Sequence, residues 1–426
     1  MKVRIHRGAH EIGGSCIELE ADGARIVLDL GRPLWAEPGM DVALPAVAGL
    51  VQGDDPSLLG LIISHPHMDH YGLADQAHSS LPVYIGEAAA RILKEAAFFT
   101  PGGVEFTPAG FLVHRVPFDV GPFRITPYLN DHSAFDAYSM LVEAGDRRLF
   151  YSGDIRGHGR KAALFEELLR QPPKDVNVML LEGTHIHAEE GEEGESKALP
   201  VEEQTGPSEL DVEAACVDTF RATAGIVLAL YSPQNVDRHV TMYRAARQSD
   251  RDLVVDLYTA TIAVATGRES IPQPGFGGLR VYLPRSQRSR VMQTQEFERV
   301  NAIRECRIFP EELAARPDRF VMTFRSSMIG DLEAAGCLKG ARAVWSLWPG
   351  YLGQPSSESL HGFLERHGIE LKIHHSSGHA YLPDLRRLVT SLAPARVVPI
   401  HSFGGDRFHE LFPRVERRAD GEWWKV

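Results

Sequence analysis

The chain has 426 residues, 45 Lys and Arg against 57 Asp and Glu, 43% hydrophobic residues and four cysteines. This length outgrows a single core and predicts two domains, or one large domain with a substantial insertion, folding without covalent staples. A disulfide scaffold is excluded, and the widely spaced Cys16, Cys216, Cys306 and Cys337, with no CxxC pair, predict reduced thiols in a cytoplasmic protein and no zinc ribbon.

Short β-rich runs follow one another from the start: KVRIH, SCIELEA, RIVLDL, LGLIIS, LPVYIG, FRITPYL, YSMLVEA, RRLFYSG and NVMLL. Alternating or continuously apolar runs of this length predict strands, and Asp22-Gly23, Gly145-Asp146 and Pro172-Pro173 supply turns between them. Residues 189–213 then hold ten acids against one lysine, a net of −9 out of the chain's −12, which leaves −3 for the rest. Such a self-repelling segment, poor in large apolar side chains, predicts a solvated linker at a domain boundary. Beyond it the rhythm changes to strand then helix: GIVLALYS and NVDRHVTMYRAARQS, then DLVVDLYT, RFVMTF and RAVWSLW, the pattern of a smaller parallel α/β unit. The chain closes through a helical SESLHGFLERHG, a strand at IELKIHH, a helix at PDLRRLVTSL and a strand at RVVPIH. The expected organisation is a first domain part over 1–188, an acidic linker over 189–213, an inserted unit over 214–351 and a closing part over 352–426. The amino-terminal MKVRIHRGAHEIGG lacks the apolar stretch of a signal peptide, and no uncharged apolar run reaches the roughly eighteen residues of a membrane span, so neither secretion nor a membrane partner is expected.

The strongest chemical signal is His65-Pro66-His67-Met68-Asp69-His70, directly after LGLIIS. Imidazole and carboxylate are the usual ligands of zinc and related divalent ions, and a tight turn after a strand can point alternate side chains at two neighbouring ions. Three adjacent histidines without a metal would be a costly way to build a core. Other strand ends supply matching groups: Asn130-Asp131-His132 after FRITPYL, Ser152-Gly153-Asp154 after RRLFY and His401 after RVVPI. Convergence at strand ends is how open sheets build sites.

The HxHxDH run, His132, the SGD of Asp154 and His401 resemble the metal-binding motifs of the metallo-β-lactamase fold, with Asp29 in IVLDLG matching the remaining early motif. By that resemblance His65, His67 and His132 hold one ion, Asp69, His70 and His401 a second, Asp154 bridges them and Asp29 orients a ligand. Further features resemble the β-CASP branch, the nucleic-acid-processing group that includes ribonuclease J: Glu182 in LLEGTH, Ser377-Gly378-His379-Ala380, and His401 in VVPIH, separated from Asp154 by the α/β insertion. The opening GAHEIGGSCIELE is similar to that group's start, whereas His401-Ser402-Phe403 departs from the HGE typical of ribonuclease J. The fold class implied is α/β, a metallo-β-lactamase αββα sandwich with an inserted, smaller β-CASP-like α/β cap.

The activity implied is a metal-dependent nuclease that cleaves RNA phosphodiester bonds by a metal-activated hydroxide, with Asp69, His379 and Glu182 as catalytic residues. The leaving oxygen needs a proton; His379 is the candidate general acid, with Glu182 holding its other ring nitrogen. The expected cofactors are two divalent ions, zinc or manganese, since the mixed His and carboxylate set suits both. The expected substrate is single-stranded RNA, or DNA, and a homodimer is the expected assembly. Arg280, Arg285, Arg288 and Arg290 are candidate phosphate contacts, weighed against a solvated basic loop, and Phe324 and Tyr351 are candidate base-stacking residues, weighed against core positions. The alternative is a small-molecule metallo-hydrolase of the same fold, acting on a phosphodiester, lactone or thioester, for which the near-neutral body of the chain speaks.

Overall fold

The computed structural model describes residues 1–37, 39–100, 103, 106–187 and 205–426. The chain divides into two compact units, one made of Met1–Ala97, Pro101–Gly206 and Gly378–Val426, the other of Phe98–Thr100 and Pro207–Ser377.

The first unit holds two sheets. One has seven strands in the order Trp423–Lys425, Lys2–Arg7, Cys16–Ala21, Ala24–Leu28, Leu58–Ile62, Val83–Gly86 and Gly110–Leu112. The other has six, in the order Arg396–Ile400, Val178–Glu182, Arg147–Tyr151, Tyr138–Ala144, Phe123–Leu129 and Phe118–Val120. Successive side chains of a strand point to opposite faces, and the facing residues Ile5, Leu19, Ile26, Phe123, Met140, Leu149, Leu180 and Val398 form one buried core. The outer faces are apolar too. Helix Glu87–Phe99 lends Ala89 and Leu93 to the cluster over the seven-stranded sheet, and Ala162–Arg170 and Leu382–Leu392 cover the other through Phe165, Leu168, Leu385 and Leu388. This is the αββα sandwich of the metallo-β-lactamase fold. It explains why VMLLE of Val178–Glu182 is buried throughout: a strand covered on both faces has no polar side.

The second unit is built on one parallel sheet of seven strands, in the order Arg307–Ile308, Leu279–Tyr282, Asp252–Asp256, Phe320–Thr323, Val227–Leu230, Arg342–Trp345 and Glu370–Ile373. Val227 and Ala229 belong to the buried cluster on one face, Leu228 and Leu230 to that on the other.

The structure differs from the sequence reading in three places. The acidic stretch falls largely in residues 188–204, outside the described residues, but its end is no solvated linker. Ser208 caps helix Glu209–Arg221 in a reciprocal box with Asp211, and Glu209 is fully buried, with Oε1 2.8 Å from Arg238 Nη2. The insertion closes at Ser377 rather than at 351, because Glu370–Ile373 adds to this sheet in parallel register with Arg342–Trp345. VYLPRSQRSR is not a loop but the end of strand Leu279–Tyr282 followed by helix Arg285–Thr294. Among the described residues no helix is long and apolar enough to cross a membrane.

Candidate metal centre

The HxHxDH run leaves strand Leu58–Ile62 and closes into a single helical turn, Met68–Tyr71, in which the amides of His70 and Tyr71 donate to His67 O at 2.9 and 3.1 Å. Backbone bonds fix the turn against neighbouring segments: Ser15 N donates to Asp69 O at 3.0 Å, and Leu30 N to His70 O at 2.8 Å. A Cβ on Gly31 would stand 1.7 Å from Asp69 O, so only glycine permits this approach.

The turn, four strand ends and the segment before helix Leu382–Leu392 bring all nine predicted site residues together within the first unit. Three sets of converging donor atoms result: His65, His67, His132 and Asp154; Asp69, His70, Asp154 and His401; and Glu182, His379 and His401, with the atoms of each set within 4.8 Å of one another. Asp154 joins the first two. Its Oδ2 lies 3.5 Å from His65 Nε2, 3.3 Å from His70 Nε2 and 3.8 Å from His132 Nε2.

Four of the histidines are aimed by a bond at Nδ1, the nitrogen turned away from the centre, the arrangement that fixes the tautomer of a metal-binding imidazole. His132 Nδ1 donates to Gly378 O at 2.6 Å, His65 Nδ1 lies 3.0 Å from Ser64 Oγ, His70 Nδ1 lies 2.7 Å from Asp29 Oδ2, and His401 Nδ1 lies 3.0 Å from Thr184 Oγ1. Their Nε2 atoms are left for the centre. His67 is turned the other way, with Nδ1 3.1 Å from His132 Nε2.

The electrostatics is that of a cation site. Burial holds His65 and His132 well below the usual imidazole range and His67 down to about 4, so these rings present lone pairs at neutral pH. Burial lowers His70 as well, but the carboxylates of Asp154, Asp69 and Asp29 overcome it and raise the ring well above its usual value. Burial raises Asp69, yet the charge of His70 and the close approach of His401 bring it to about 2. His65 Nε2, His70 Nε2 and Asp154 Oδ1 are buried without a hydrogen-bond partner. Buried polar atoms are nearly always satisfied, and three orphans of the right chemistry, in two donor sets that share Asp154, fit divalent ions.

Glu182 and His379 sit beside this cluster. His379 Nδ1 is 3.4 Å from Glu182 Oε1 and 3.7 Å from Asp154 Oδ2, and the side chain keeps 21% exposure. Burial pulls His379 down, but Glu182 and Asp154 push it up to about 9. Burial pushes Glu182 up, and the charge of His379 more than reverses this.

Sequence reasoning missed Ser64, Tyr151, Thr184 and the Gly378 carbonyl. Thr184 stands in the quoted LLEGTH and Ser64 directly before the motif, but neither residue type signals a role without its partners in space.

The nucleic-acid contacts suggested for the inserted unit fare differently. Phe324 is buried against Phe363, ring centroids 5.3 Å apart, and is a core residue. Arg280 is tied to Glu312 at 3.1 Å and to the carbonyls of Cys306 and Arg307. Arg285, Arg288 and Arg290 are exposed, and Tyr351 is exposed beside Trp348.

A family profile described as "Beta-lactamase superfamily domain" matches residues 34–228. Cleavage and polyadenylation specificity factor 73 of Drosophila melanogaster is 29% identical over 212 residues, which is 44% of this chain and 29% of that protein. Ribonuclease J of Mycobacterium tuberculosis is 24% identical over 430 residues, 94% of this chain and 68% of the relative. A solved structure of a protein of unknown function from Enterococcus faecalis V583 shares the fold, with a TM-score of 0.77 at 19% identity over 99% of both chains. The chain carries a metallo-β-lactamase domain and is homologous to ribonuclease J and to cleavage and polyadenylation specificity factor 73, proteins of the β-CASP group.

Proposed function

We propose that the protein is a metal-dependent nuclease that cleaves phosphodiester bonds of single-stranded RNA. The observation that carries this reading is the Glu182–His379 pair placed against Asp154, the carboxylate common to two sets of metal-ligating atoms. A ribose oxygen is a poor leaving group unless it is protonated as it departs, and a positioned general acid contributes about 10²–10⁴-fold to such a step. The named activities of the relatives support the same substrate class.

In this reading His65, His67, His132 and Asp154 hold one divalent ion, and Asp69, His70, Asp154 and His401 a second. Ions so bound supply Lewis acidity towards the phosphoryl oxygens and acidify water. The donor set of imidazoles and carboxylates suits zinc or manganese. Asp29 keeps His70 aimed through its 2.7 Å contact with Nδ1. Glu182 faces Nδ1 of His379, so the proton that His379 exchanges is carried on Nε2, and the two carboxylates nearby keep the ring charged at neutral pH.

The test is cleavage of end-labelled single-stranded RNA, beside matched DNA, by zinc- or manganese-loaded protein and its Asp69→Asn and His379→Ala variants. RNA cutting that disappears in both variants is the expected result. A fully metallated protein that leaves both polymers intact yet turns over a chromogenic phosphodiester or a lactone would overturn the nuclease reading in favour of a small-molecule hydrolase.

A further inference from the structure

We infer that Thr184 is a positioning residue whose single hydroxyl holds a hydrogen on Nδ1 of two histidines at once, His401 and His379, so that both present Nε2 to the reacting centre. The part concerning His401 stands on geometry alone; the part concerning His379 rests on the proton-donor role proposed above.

Thr184 lies in the turn after strand Val178–Glu182, where its backbone N and its Oγ1 both donate to Glu182 Oε2, at 3.0 and 2.8 Å. The same Oγ1 lies 3.1 Å from His379 Nδ1 and 3.0 Å from His401 Nδ1. A hydroxyl has one proton to give and two lone pairs to receive. The Glu182 carboxylate can only accept, so the proton goes to it. Both lone pairs then face imidazole nitrogens, and each of those nitrogens must carry a hydrogen. His379 and His401 are thereby fixed as Nδ1–H rings, with His379 sharing its hydrogen with Glu182 Oε1 at 3.4 Å. In His401 this leaves a lone pair on Nε2, which lies 3.2 Å from Asp69 Oδ2 among the second set of donor atoms. His401 also sits at a left-handed φ of 50°, a conformation a histidine adopts at a cost, so its ring needs an anchor to hold its direction. One side chain thus ties a metal-ligating residue, an acid and its carboxylate partner into a unit.

The experiment uses the full chain with ¹⁵N-labelled histidine. Ring-nitrogen shifts report the tautomers directly, without turnover. Chelator competition reports zinc affinity. Both are compared for wild type, Thr184→Ser, which keeps the hydroxyl, and Thr184→Val, which keeps the shape without it. The expected result is Nδ1–H on His379 and His401 in wild type and in the serine variant. In the valine variant the His401 tautomer is no longer fixed and zinc binds about 10–100-fold more weakly, the range for lost outer partners of a ligand; kcat on RNA falls while KM stays within about threefold. An Nε2–H ring at His401 in wild type overturns the inference, as does a serine variant no better than valine, or a valine variant with unchanged ring shifts and zinc affinity. If valine prevents folding, the wild-type shifts and the serine variant still decide. If no form cuts RNA, the nuclease reading fails while the shifts and the zinc affinities judge Thr184 independently.

Discussion

Asp29 Oδ2 lies 2.7 Å from His70 Nδ1, and Asp29 takes a left-handed φ of 59° to reach it. The same carboxylate accepts from Ser64 N at 2.6 Å, from Ser64 Oγ at 2.7 Å and from Tyr151 OH at 2.5 Å, so buried donors surround both oxygens. Asparagine keeps the shape and tolerates this backbone conformation. Its amide NH₂ must nevertheless face donors on whichever side it lies. With the NH₂ towards His70, Nδ1 must accept, and the ring proton moves to Nε2, the atom directed at Asp154. Asp29→Asn is therefore expected to weaken zinc binding by about 10–100-fold in a chelator competition. Asp29→Ala leaves the donors without any partner and is expected to cost a further 1–3 kcal/mol or so for each one left unsatisfied, seen as a lower urea midpoint.

Divalent ions should stabilise the protein, because the native state alone assembles the donor sets around Asp154. At a free ion concentration a hundred times Kd the gain is about 2.7 kcal/mol. Zinc or manganese is expected to raise the melting temperature and EDTA to reverse the change. Asp154→Asn should remove most of the response, since Asp154 serves both sets. An ion-induced shift of equal size in that variant would place the binding elsewhere.

The acid role of His379 makes a prediction about leaving groups. His379→Ala is expected to lower kcat on RNA by about 10²–10⁴-fold. Glu182→Gln, which leaves the ring in place but removes the charge 3.4 Å from Nδ1, should lose less, about 10–100-fold. A nitrophenyl phosphodiester expels an acidic phenol that needs no proton, so the alanine variant should recover most of its deficit on that substrate. An equal loss on both substrates would show that His379 acts in positioning or metal binding instead.

How much of this was legible depends on how local each signal is. His65 to His70 announce themselves because one turn carries four ligating side chains of unambiguous chemistry. The strands of the first unit show in their alternation or continuous burial, as in VMLLE between two layers. Tyr151 gives no such sign: it is an ordinary strand aromatic whose hydroxyl meets an aspartate 122 positions away. Glu209 resembled its acidic neighbours, and only the folded position of Arg238 makes it a buried, paired carboxylate. The end of the insertion was hidden for a related reason. Glu370–Ile373 is an edge strand with no fully buried residue, so its pattern does not tell which sheet it joins. For Phe324 the sequence leaves base stacking open beside the core position that an aromatic at a strand end more often takes; in a parallel sheet covered on both faces it packs inward.

Trp35 separates a polymer-binding enzyme from a small-molecule hydrolase. It is 63% exposed, next to Leu34 at 62%, and the pair lies beside the centre: a Cβ on Gly13 would be 2.8 Å from Leu34 Cγ and 3.0 Å from Asp69 Cβ. Glu11 lies close to Trp35, and burial raises its carboxyl above the usual range. An aromatic ring this exposed offers a stacking face to an unpaired base, and such stacking contributes about 1–3 kcal/mol per base, a factor of roughly 5 to 150. Trp35→Ala is expected to weaken binding of single-stranded RNA within that range, measured by fluorescence anisotropy in an Asp69→Asn background that prevents cleavage. In the otherwise native enzyme kcat/KM for a small phosphodiester should stay unchanged, because that substrate extends no base to the rim. If both quantities fall together, Trp35 supports the metal site; if neither moves, the polymer does not cross this side of the centre.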